Sequence, residues 1–557
     1  MNISQIFENI SQLLYIRGDK SYRVQSYQRV ADIIGQLTHS IEAENEISYL
    51  SEMLETGQLR TIKGIGDSAI SVITDLLQNG TSNLYEELKL EVGTEVLELL
   101  KVRGIGIKMA TQLYRHAKIH SLSDLRLALS SNRLKEIKGL GTRKIQSIET
   151  SLNYLEIVKN LRPLGIIRPI ADRIVSKLKG QPGVEKIEIT GEVRRGEEMV
   201  SQLELLLIGS PDNVARVLKD HLKDQVINAT NISGTINQFP VVIHFTNLTS
   251  MAWDWIVTTG PEDHVQQLSI PGSDLSTERE IYLLSGLPYI APELRRTTEF
   301  ANPIEDKLPH LVELTDIRSD LHMHTNWSDG LNTIQEMVNQ AKSLGYSHIS
   351  ITDHSKSSVV ANGLDPNRLR KQIEEVRIVN NRTDGITVLA GSEVDILKNG
   401  DLDYDDELLA ELDIVIASIH SNFELSESQM TQRLIRAIEN PFTMMIGHPT
   451  GRLLGSRPGY AFDLPAILDV AADCEVALEI NASINRLDLE PDSVILAKQK
   501  GVQLSVNTDA HSLPDLQQMK WGITVARRGW LEPSDIINTL TLDQFFDWKN
   551  GRQQSLE

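Results

Sequence analysis

Residues 319–330 read SDLHMHTNWSDG, and this stretch decides how the C-terminal half of the chain is interpreted. His322 and His324 stand two positions apart after a short run of alternating apolar residues, so on a β-strand both would face the same side. Asp329 follows in a Ser-Asp-Gly turn. Two imidazoles at the end of a strand, with a carboxylate in the next loop, can form the first part of a metal site. Because His-x-His pairs are common by chance, this interpretation depends on ligands elsewhere in the chain.

The sequence that follows alternates short apolar runs with helical stretches such as 368–379 and 429–439. After the first run, further β-like runs occupy residues 348–355, 386–397, 414–421, 442–452, 476–483 and 502–512. Such alternation is typical of parallel strands joined by crossover helices. It therefore predicts a seven-stranded (β/α) barrel.

Candidate metal ligands recur where these runs end. The carboxyl ends of parallel barrel strands lie on one face, so residues far apart in sequence become one cluster. A lone histidine at a strand end is usually a hydrogen-bonded structural residue, but six of the chain's 14 histidines fall at such positions, interleaved with carboxylates. Imidazole and carboxylate donors suit Mn²⁺ and Zn²⁺ without choosing between them. The sequence predicts a metal centre formed by His322, His324, Asp329, His354, Glu393, His420, His448, Asp509 and His511.

The bulk composition sets the class of protein. A chain of 557 residues is too long for one hydrophobic core and predicts roughly three to four domains. No apolar run approaches the roughly 20 residues of a membrane helix, and the N-terminal residues lack the layout of a signal peptide. Cys474 is the single cysteine, which excludes an internal disulfide framework and fits a reducing compartment. We expect a cytoplasmic protein with no membrane partner.

The net charge of −21 is unevenly distributed along the chain. Residues 1–100 hold 7 Lys and Arg against 15 Asp and Glu, whereas residues 101–150 hold 11 against 3. A basic block in an acidic protein is typical of a segment that binds nucleic acid. A solvated helix face is the alternative when charge is the only observation.

A Gly-apolar-Gly pattern recurs three times in the first 150 residues, each time before a predicted helix. Glycine permits a tight turn in which backbone N–H groups at the next helix N-terminus point outward and can bind a phosphate. A plain connection with a glycine C-cap is the alternative for a single copy. Three copies, two of them in the basic block, favour binding to the DNA backbone. The pattern resembles the helix-hairpin-helix element, with candidate DNA contacts at Gly64, Gly66, Gly104, Gly106, Lys108, Gly139, Gly141, Arg143 and Lys144.

Residues 156–310 resemble the palm and thumb of family X DNA polymerases. The resemblance rests on VRRGE (193–197), TTGPEDH (258–264) and SGLPYIAPELRR (285–296). In that family a serine helps to hold the triphosphate, and aspartates hold two metal ions. This chain has Glu192 at the serine position, Gln202 and Glu204 at the paired-aspartate positions, and Val242 at the third, unless the register is misaligned.

The resemblance therefore implies a palm that has lost nucleotidyl transfer, with Mg²⁺ bound only if the polymerase site is active. Its degenerate site comprises Glu192, Arg195, Gln202, Glu204 and Val242. The helix after the first hairpin also has Val72 near the position where family members with lyase activity carry a Schiff-base lysine. A lyase at that position is not expected.

The nine-residue set resembles the PHP (polymerase and histidinol phosphatase) domain, a distorted seven-stranded barrel that binds up to three metal ions. The resemblance implies Mn²⁺ and/or Zn²⁺ as cofactors and a catalytic centre of His322, His324, Glu393 and Asp509. Arg452, beside His448 in GHPTGR, is the candidate for holding the substrate phosphate, with a buried structural ion pair as the alternative. The whole chain then resembles a bacterial family X polymerase with a C-terminal PHP domain.

These interpretations predict a multidomain chain. Its segments are an all-α helix-hairpin-helix domain at 1–90, helix-hairpin-helix fingers at 91–155, an α/β nucleotidyltransferase-like palm at 156–240, the end of the palm and the thumb at 241–310, and a distorted (β/α)7 PHP barrel at 318–557. A linker at 302–309 precedes the barrel.

The leading functional hypothesis is a metal-dependent 3′-to-5′ exonuclease that acts in DNA repair, such as base excision repair, as a monomer. Its partners would be gapped or nicked DNA and single-stranded ends. A second hypothesis is an active gap-filling polymerase with an attached exonuclease, which would need carboxylate ligands in the palm. A third is a DNA-binding scaffold without chemistry, and a fourth is a small-molecule phosphatase of the histidinol-phosphate type. The complete ligand set argues against the third, and the DNA-handling segments argue against the fourth.

Overall fold

The fold is known from a computed structural model, and the structure describes residues 2–38, 46–270, 275–296 and 308–556. Most of the predicted linker at 302–309 lies outside these residues. The chain divides into two compact units, one formed by Met1–Ile157 with Ser456–Pro458 and the other by Val158–Gly455 with Gly459–Glu557. Each unit is described by itself below.

The first unit is helical, as predicted. Its apolar side chains, among them Phe7, Leu14, Ile73 and Leu99, pack into one core. Its helices are α1 (Ile3–Arg17), α2 (Ser21–Thr38), α3 (Glu46–Glu55), α4 (Gln58–Thr61), α5 (Asp67–Asn79), α6 (Asn83–Glu91), α7 (Ile107–Gln112), α8 (Leu122–Ser130) and α9 (Thr142–Val158).

The three Gly-apolar-Gly repeats open helices α5, α7 and α9, which confirms the helix-hairpin-helix prediction. The first glycine of each repeat adopts a positive φ, +111° at Gly64, +85° at Gly104 and +92° at Gly139. A residue with a Cβ is strained in this conformation, so the turn requires glycine. Each following helix begins directly after the second glycine, which leaves its first N–H groups without an intrahelical partner.

The middle segment contains a five-stranded sheet with the strand order β2-β4-β7-β6-β5. Strand β4 pairs antiparallel with β2 and parallel with β7. The sequence predicts only a turn between β2 and β4, whereas the structure places a short helix, α11, and the two-residue strand β3 there. The elements are β1 (Arg162–Pro163), α10 (Leu164–Leu178), β2 (Val184–Thr190), α11 (Gly191–Arg195), β3 (Met199–Val200), β4 (Leu203–Gly209), α12 (Pro211–Leu218), β5 (Lys223–Ile227), β6 (Asn231–Ile236), β7 (Phe239–Thr246), α13 (Met251–Thr259), α14 (Glu262–Val265) and α15 (Glu278–Leu284).

The C-terminal segment is a barrel of seven parallel strands arranged in sequence order, which confirms the predicted (β/α)7 fold. The segments that follow the first and last strands meet at a parallel bridge between Met323 and Ala510. Strands β9, β11, β13 and β14 are entirely buried, as expected when helices cover the outer face. The elements are β8 (Ser319–Asp320), α16 (Ile334–Ser343), β9 (His348–Ile351), α17 (Pro366–Arg382), β10 (Thr387–Asp395), α18 (Asp406–Leu409), β11 (Ile414–Ser418), α19 (Glu427–Ile438), β12 (Met445–Ile446), α20 (Leu464–Asp473), β13 (Ala477–Asn481), α21 (Pro491–Gln499), β14 (Leu504–Asn507), α22 (Met519–Arg528) and α23 (Leu542–Leu556).

Two details of the first and third barrel strands differ from the prediction. Strand β8 ends at Asp320, so His322 and His324 follow the strand instead of lying on it. Glu393 lies inside β10 and does not end it. The chain after β8 keeps an extended course because the N–H of His324 donates to the carbonyl oxygen of Ala510 at 2.8 Å.

The palm sheet and the barrel share one continuous hydrophobic core. Charged pairs cross the same boundary, Arg452 with Glu198 and Arg528 with Glu197. Gly196 lies between these acids and Arg195, at φ +70°, and a Cβ there would be 2.3 Å from the Thr524 side chain. The close approach of α11 to α22 therefore requires glycine.

Two further observations concern composition. None of the helices within the described ranges combines the length and apolarity needed to cross a bilayer. Cys474 carries a free thiol and is half-buried.

Glu278 at the start of α15 holds two arginines. Its carboxylate accepts hydrogen bonds from Arg194 at 2.7 and 2.8 Å and from Arg295 at 3.0 and 3.2 Å. The Arg295 side chain is fully buried. Burial alone would raise the pKa of Glu278, but the hydrogen bond from Arg194 and the charge of Arg295 lower it to about 2.

We expect Glu278→Gln to lower the free energy of unfolding at pH 7 by about 3–5 kcal/mol, because one buried charge would lose its counterion. The ordinary pKa of this group is 4.5, above its folded value of about 2, so the carboxylate stabilises the fold fully above pH 4.5. The difference from wild type should shrink as the pH falls from 4.5 towards 2. Urea unfolding, followed by tryptophan fluorescence, measures the loss of stability and its dependence on pH, since Trp255 lies 3.5 Å from the Arg194 guanidinium.

Glu262→Gln is the matched control for this change. Glu262 is exposed and accepts a hydrogen bond from Gln266, so its loss should change stability by less than about 0.5 kcal/mol. Equal effects of the two substitutions, or a Glu278 effect that does not change between pH 7 and 3, would contradict this account.

Candidate metal centre

The structure brings all nine predicted ligands together at the carboxyl ends of the barrel strands. His322 and His324 are fully buried at the bottom of the cluster, and Glu393 is also buried. Asp329 and His511 are the most exposed of the set and lie at its mouth. The residues follow β8, β9, β11, β12 and β14, except for Glu393 within β10. Closure of the barrel is therefore what assembles them.

The carboxylate of Glu393 lies at the centre of the cluster. Its Oε1 is 2.8 Å from Nε2 of His448, 3.2 Å from Nε2 of His420 and 3.6 Å from Nε2 of His322. Its Oε2 is 2.8 Å from Nδ1 of His354. A carboxylate with imidazoles around both oxygens is placed to bridge two cations.

Two aspartates complete the cluster. Oδ1 of Asp509 lies 3.0 Å from Nε2 of His324 and 3.6 Å from Nε2 of His322. Oδ1 of Asp329 lies 3.4 Å from Nε2 of His511 and 4.0 Å from Nδ1 of His324. Within the described ranges, the groups whose donor atoms all lie within 4.8 Å of one another are His324-Asp329-His354-His511, His322-His324-Asp509 and His354-Glu393-His420.

Two acidic residues that the sequence analysis missed orient the histidines. Glu479 lies 2.7 Å from Nδ1 of His322, and Asp395 lies 2.6 Å from Nδ1 of His420. A carboxylate that accepts from one ring nitrogen directs the other nitrogen towards the cluster. Strand alternation could have found Asp395, since it lies two residues after Glu393 and therefore on the same side of β10.

Burial and the neighbouring charges raise the pKa of some histidines of the cluster and lower that of others. Burial alone would lower the pKa of His420, but the Glu393 charge and the Asp395 hydrogen bond raise it to about 9. The pKa of His511 is likewise about 9, raised against burial by Asp329 and Asp509. Burial lowers the pKa of His324 to about 3, and the neighbouring His511 and His354 act in the same direction.

The donor set fits divalent cations. Among the described residues, buried atoms without a hydrogen-bond partner include Nε2 of His322, Nδ1 of His324, Nδ1 of His448 and Oε2 of Glu393. Buried polar atoms are normally satisfied, so orphaned atoms among these clustered side chains fit a role as metal ligands. Imidazole and carboxylate donors suit Mn²⁺ and Zn²⁺.

The cluster opens into a cavity of about 420 Å³, and Arg452 does not line it. Nε of Arg452 donates to the carbonyl oxygen of Arg486 at 3.0 Å, and its other nitrogens contact Glu198, Glu490 and the Leu487 carbonyl. Because palm and loop atoms occupy the Arg452 guanidinium, these contacts favour the structural ion pair over a role in holding substrate phosphate. The arginine that lines the cavity is Arg486, which the sequence analysis did not single out.

The palm residues lie on and around β4 and β7, two neighbouring inner strands of the five-stranded sheet. Glu204 pairs in register with Val242, and its Oε1 is 3.2 Å from Nε2 of His244. Glu192 accepts hydrogen bonds from Ser201, whereas Arg195 contacts Glu197 and the carbonyl oxygen of Thr259. Gln202 lies two residues before Glu204 and is half-exposed. In the part of the chain that the structure describes, no group of three metal-binding side chains occurs here.

The predicted DNA contacts lie on the three hairpins of the first unit. Gly66, Gly106 and Gly141 are exposed directly before α5, α7 and α9. Lys108 and Arg143 are also exposed, in the first turns of α7 and α9. Asp67 begins α5, so the first hairpin presents an acid where the other two present bases.

Metal binding should release protons and strengthen with rising pH between 7 and 9. His420 and His511 have pKa values of about 9 in the metal-free protein, so near pH 7 an incoming cation must displace their protons. Calorimetric titration with Mn²⁺ in two buffers of different ionisation enthalpy measures the number released. His420→Ala should release about one proton fewer, whereas the exposed His310→Ala should match wild type. Mn²⁺ binding without proton release would contradict these pKa values.

Three protein-family profiles match the chain. A PHP domain matches residues 320–482, a helix-hairpin-helix domain matches residues 1–82, and a SAM-like helix-hairpin-helix tandem matches residues 96–151. Each match lies within a segment for which the sequence predicts that fold.

The relatives divide into two kinds. A probable phosphatase of Thermoanaerobacter sp. (strain X514) is 30% identical over 231 residues, which are 40% of this chain and 89% of that protein. A probable phosphatase of Shewanella sediminis is 31% identical over 229 residues, which are 39% and 88% of the two chains. The DNA polymerase/3′-5′ exonuclease PolX of Bacillus subtilis (strain 168) is 33% identical over 575 residues, with 97% of each chain covered. Because this similarity extends through the helix-hairpin-helix, palm and barrel segments alike, the chain belongs to the bacterial family X DNA polymerases that carry a C-terminal PHP domain.

Proposed function

We propose that this protein is a DNA-binding, Mn²⁺- or Zn²⁺-dependent phosphodiesterase, a 3′-to-5′ exonuclease of DNA repair. The observation that carries the proposal is the set of nine imidazole and carboxylate donors, five of them buried, which converge around one cavity. The Bacillus subtilis relative is named a polymerase and 3′-5′ exonuclease, and the relatives of the barrel alone are named phosphatases. Phosphate-ester hydrolysis is common to both.

The nine residues would hold up to three divalent ions. Such ions, when bound, supply a water nucleophile at neutral pH and offset negative charge on the phosphate oxygens. The protein's own residues position these donors. Glu479 and Asp395 each fix the ring of one histidine, and the buried strands keep bulk water away from the bottom of the cluster.

The helix-hairpin-helix repeats would hold the DNA backbone. The second and third repeats fall in the basic block and combine outward N–H groups with Lys108, Arg143 and Lys144. The first repeat combines the same turn with Asp67, so we assign it the weakest phosphate contact.

We also propose that the palm does not transfer nucleotides. Two-ion catalysis needs several carboxylates on neighbouring strand positions. Glu204 is the one acid among the three aligned positions, and its carboxylate is hydrogen-bonded to His244. The alternative of an active gap-filling polymerase is favoured by the name of the Bacillus subtilis relative and needs a direct test.

Purified protein with Mn²⁺ should shorten 5′-labelled single-stranded and gapped DNA into a ladder. His322→Ala with His324→Ala should reduce the rate by at least about 100-fold, because both buried donors are lost, and should leave DNA binding intact. Gel analysis of the products measures the rate, and His310→Ala is the matched control. A protein that hydrolyses small phosphomonoesters but leaves DNA intact would be a small-molecule phosphatase. A protein that binds DNA without cleaving any ester would be a scaffold.

Nucleotide incorporation at a one-nucleotide gap should stay at background with Mg²⁺ or Mn²⁺. The assay uses the His322→Ala, His324→Ala protein, so that nuclease activity cannot remove the product. Replacing Gln202, Glu204 and Val242 together by aspartate supplies the family's three carboxylates for comparison, since positions 204 and 242 are paired in register. Incorporation that Glu204→Gln abolishes would overturn the assignment and restore the polymerase.

A further inference from the structure

The cavity over the metal centre has two walls that the predicted ligands do not form. One is the segment Ser357–Ala361, which begins three residues after His354, and the other carries Arg486. The volume of about 420 Å³ falls in the range of about 300–1,000 Å³ typical of pockets for a single small ligand. One wall carries exposed apolar side chains and the other carries a guanidinium. Neither is needed to bind a metal ion.

The Arg486 guanidinium at the cavity has N–H groups that can donate to a ligand. Its Nε lies 3.6 Å from Oδ2 of Asp509, and the side chain is 19% exposed. Within the described residues, neither of its Nη atoms has a hydrogen-bond partner. A guanidinium fork that is preorganised beside a metal-ligand carboxylate matches the geometry of phosphate oxygens.

The backbone behind Arg486 is held from the palm side. Arg452 donates to the carbonyl oxygens of Arg486 and Leu487, and it pairs with the half-buried Glu198. The N–H of Arg486 also donates to the carbonyl oxygen of Ser483 at 2.8 Å. These contacts fix where the Arg486 side chain enters the cavity.

The Ser357–Ala361 wall contains two exposed apolar side chains. Val359 is 80% exposed and Val360 is fully exposed, although both line a cavity rich in charged groups. Two adjacent exposed valines at the mouth of a polar cavity offer apolar contact to a ligand that enters it.

This wall is rigidly anchored to the metal centre. Oγ of Ser358 donates to Asp395 at 2.9 Å, and Asp395 also holds the ring of His420. Oγ of Ser357 donates to Asp403 at 2.6 Å. A Cβ on Gly363 would come within 1.9 Å of a backbone oxygen, so the loop closes tightly on itself. The valines are therefore presented at a fixed distance from the ligands.

We propose that the cavity takes one terminal nucleotide of a DNA strand. Arg486 donates to a non-bridging oxygen of its scissile phosphate, and Val359 and Val360 pack against its nucleoside. This inference rests on the proposed nuclease function and names the residues that select its substrate. A phosphate ester of a small alcohol would use the Arg486 wall alone, so the valine wall confers the preference for nucleotides.

Binding of thymidine 5′-monophosphate and of inorganic phosphate to the full-length protein with Mn²⁺ separates the two walls. Arg486→Ala should weaken both ligands about 10- to 100-fold, because both lose charge-assisted hydrogen bonds. Arg486→Lys should recover part of this loss. Val359→Ser with Val360→Ser should weaken only the nucleotide, about 3- to 10-fold, because apolar contact with the nucleoside is lost. Isothermal titration calorimetry measures each of the three variants, and the wild-type protein, with each of the two ligands.

Nuclease kinetics supply the second measurement. The valine variant should raise KM for 3′-ended DNA about 3- to 10-fold with kcat unchanged, and it should hydrolyse bis(p-nitrophenyl) phosphate, which has no nucleoside, at the wild-type rate. Arg486→Ala should lower kcat/KM on both substrates. Arg436→Ala, which removes an exposed arginine paired with Asp401, and Leu248→Ser, which changes an exposed leucine outside the cavity, are the matched controls.

Three kinds of failure are distinguishable. If wild-type protein digests DNA while the Arg486 and valine variants behave as the controls do, the inference is overturned and the proposed function stands. If the valine variant weakens nucleotide and phosphate equally, the division of roles between the walls is overturned. If wild-type protein digests no DNA, the proposed function itself fails.

Discussion

The buried charge of Glu393 is the constraint on which the C-terminal half of the molecule depends. An isolated carboxylate in a protein interior costs several kcal/mol, so it must be offset by cations. The offset comes from the imidazoles of His322, His354 and His420, which are delivered by the ends of three different strands. Their charges lower the pKa of Glu393 well below its usual value against the effect of burial. The compensation exists only when the barrel is closed, which couples the fold to the metal centre.

The palm contributes to this centre through packing, whatever its own chemistry. Glu198 holds Arg452, and Arg452 holds the backbone of Arg486 at the cavity wall. The Gly196 turn brings α11 against α22 so closely that a side chain would not fit. The shared hydrophobic core explains why the two segments form one compact unit. A palm without nucleotidyl transfer would still be needed as a structural support for the barrel loops.

The three turns of the helix-hairpin-helix unit share one backbone conformation but differ in the charge beside them. Its three turns have the same backbone, with a positive-φ glycine before each helix, because that geometry depends only on local sterics. The side chains next to the turns differ, acidic at Asp67 and basic at Lys108 and Arg143. Three equivalent scaffolds can therefore contribute unequally to phosphate binding.

The sequence by itself determined the seven strands, the three hairpins and the nine residues that meet at the barrel mouth. These follow from local periodicity and from the rule that parallel strands end on one face, so no knowledge of contacts is needed. Tertiary structure alone decided which arginine faces the cavity. Arg452 lies closer to His448 in sequence, but its guanidinium pairs with Glu198 of the palm. Arg486 lines the cavity instead. Glu479 and the Val359–Val360 wall were likewise hidden, because side-chain partners and surface exposure depend on loop packing between distant segments. Periodicity carries no information about that packing.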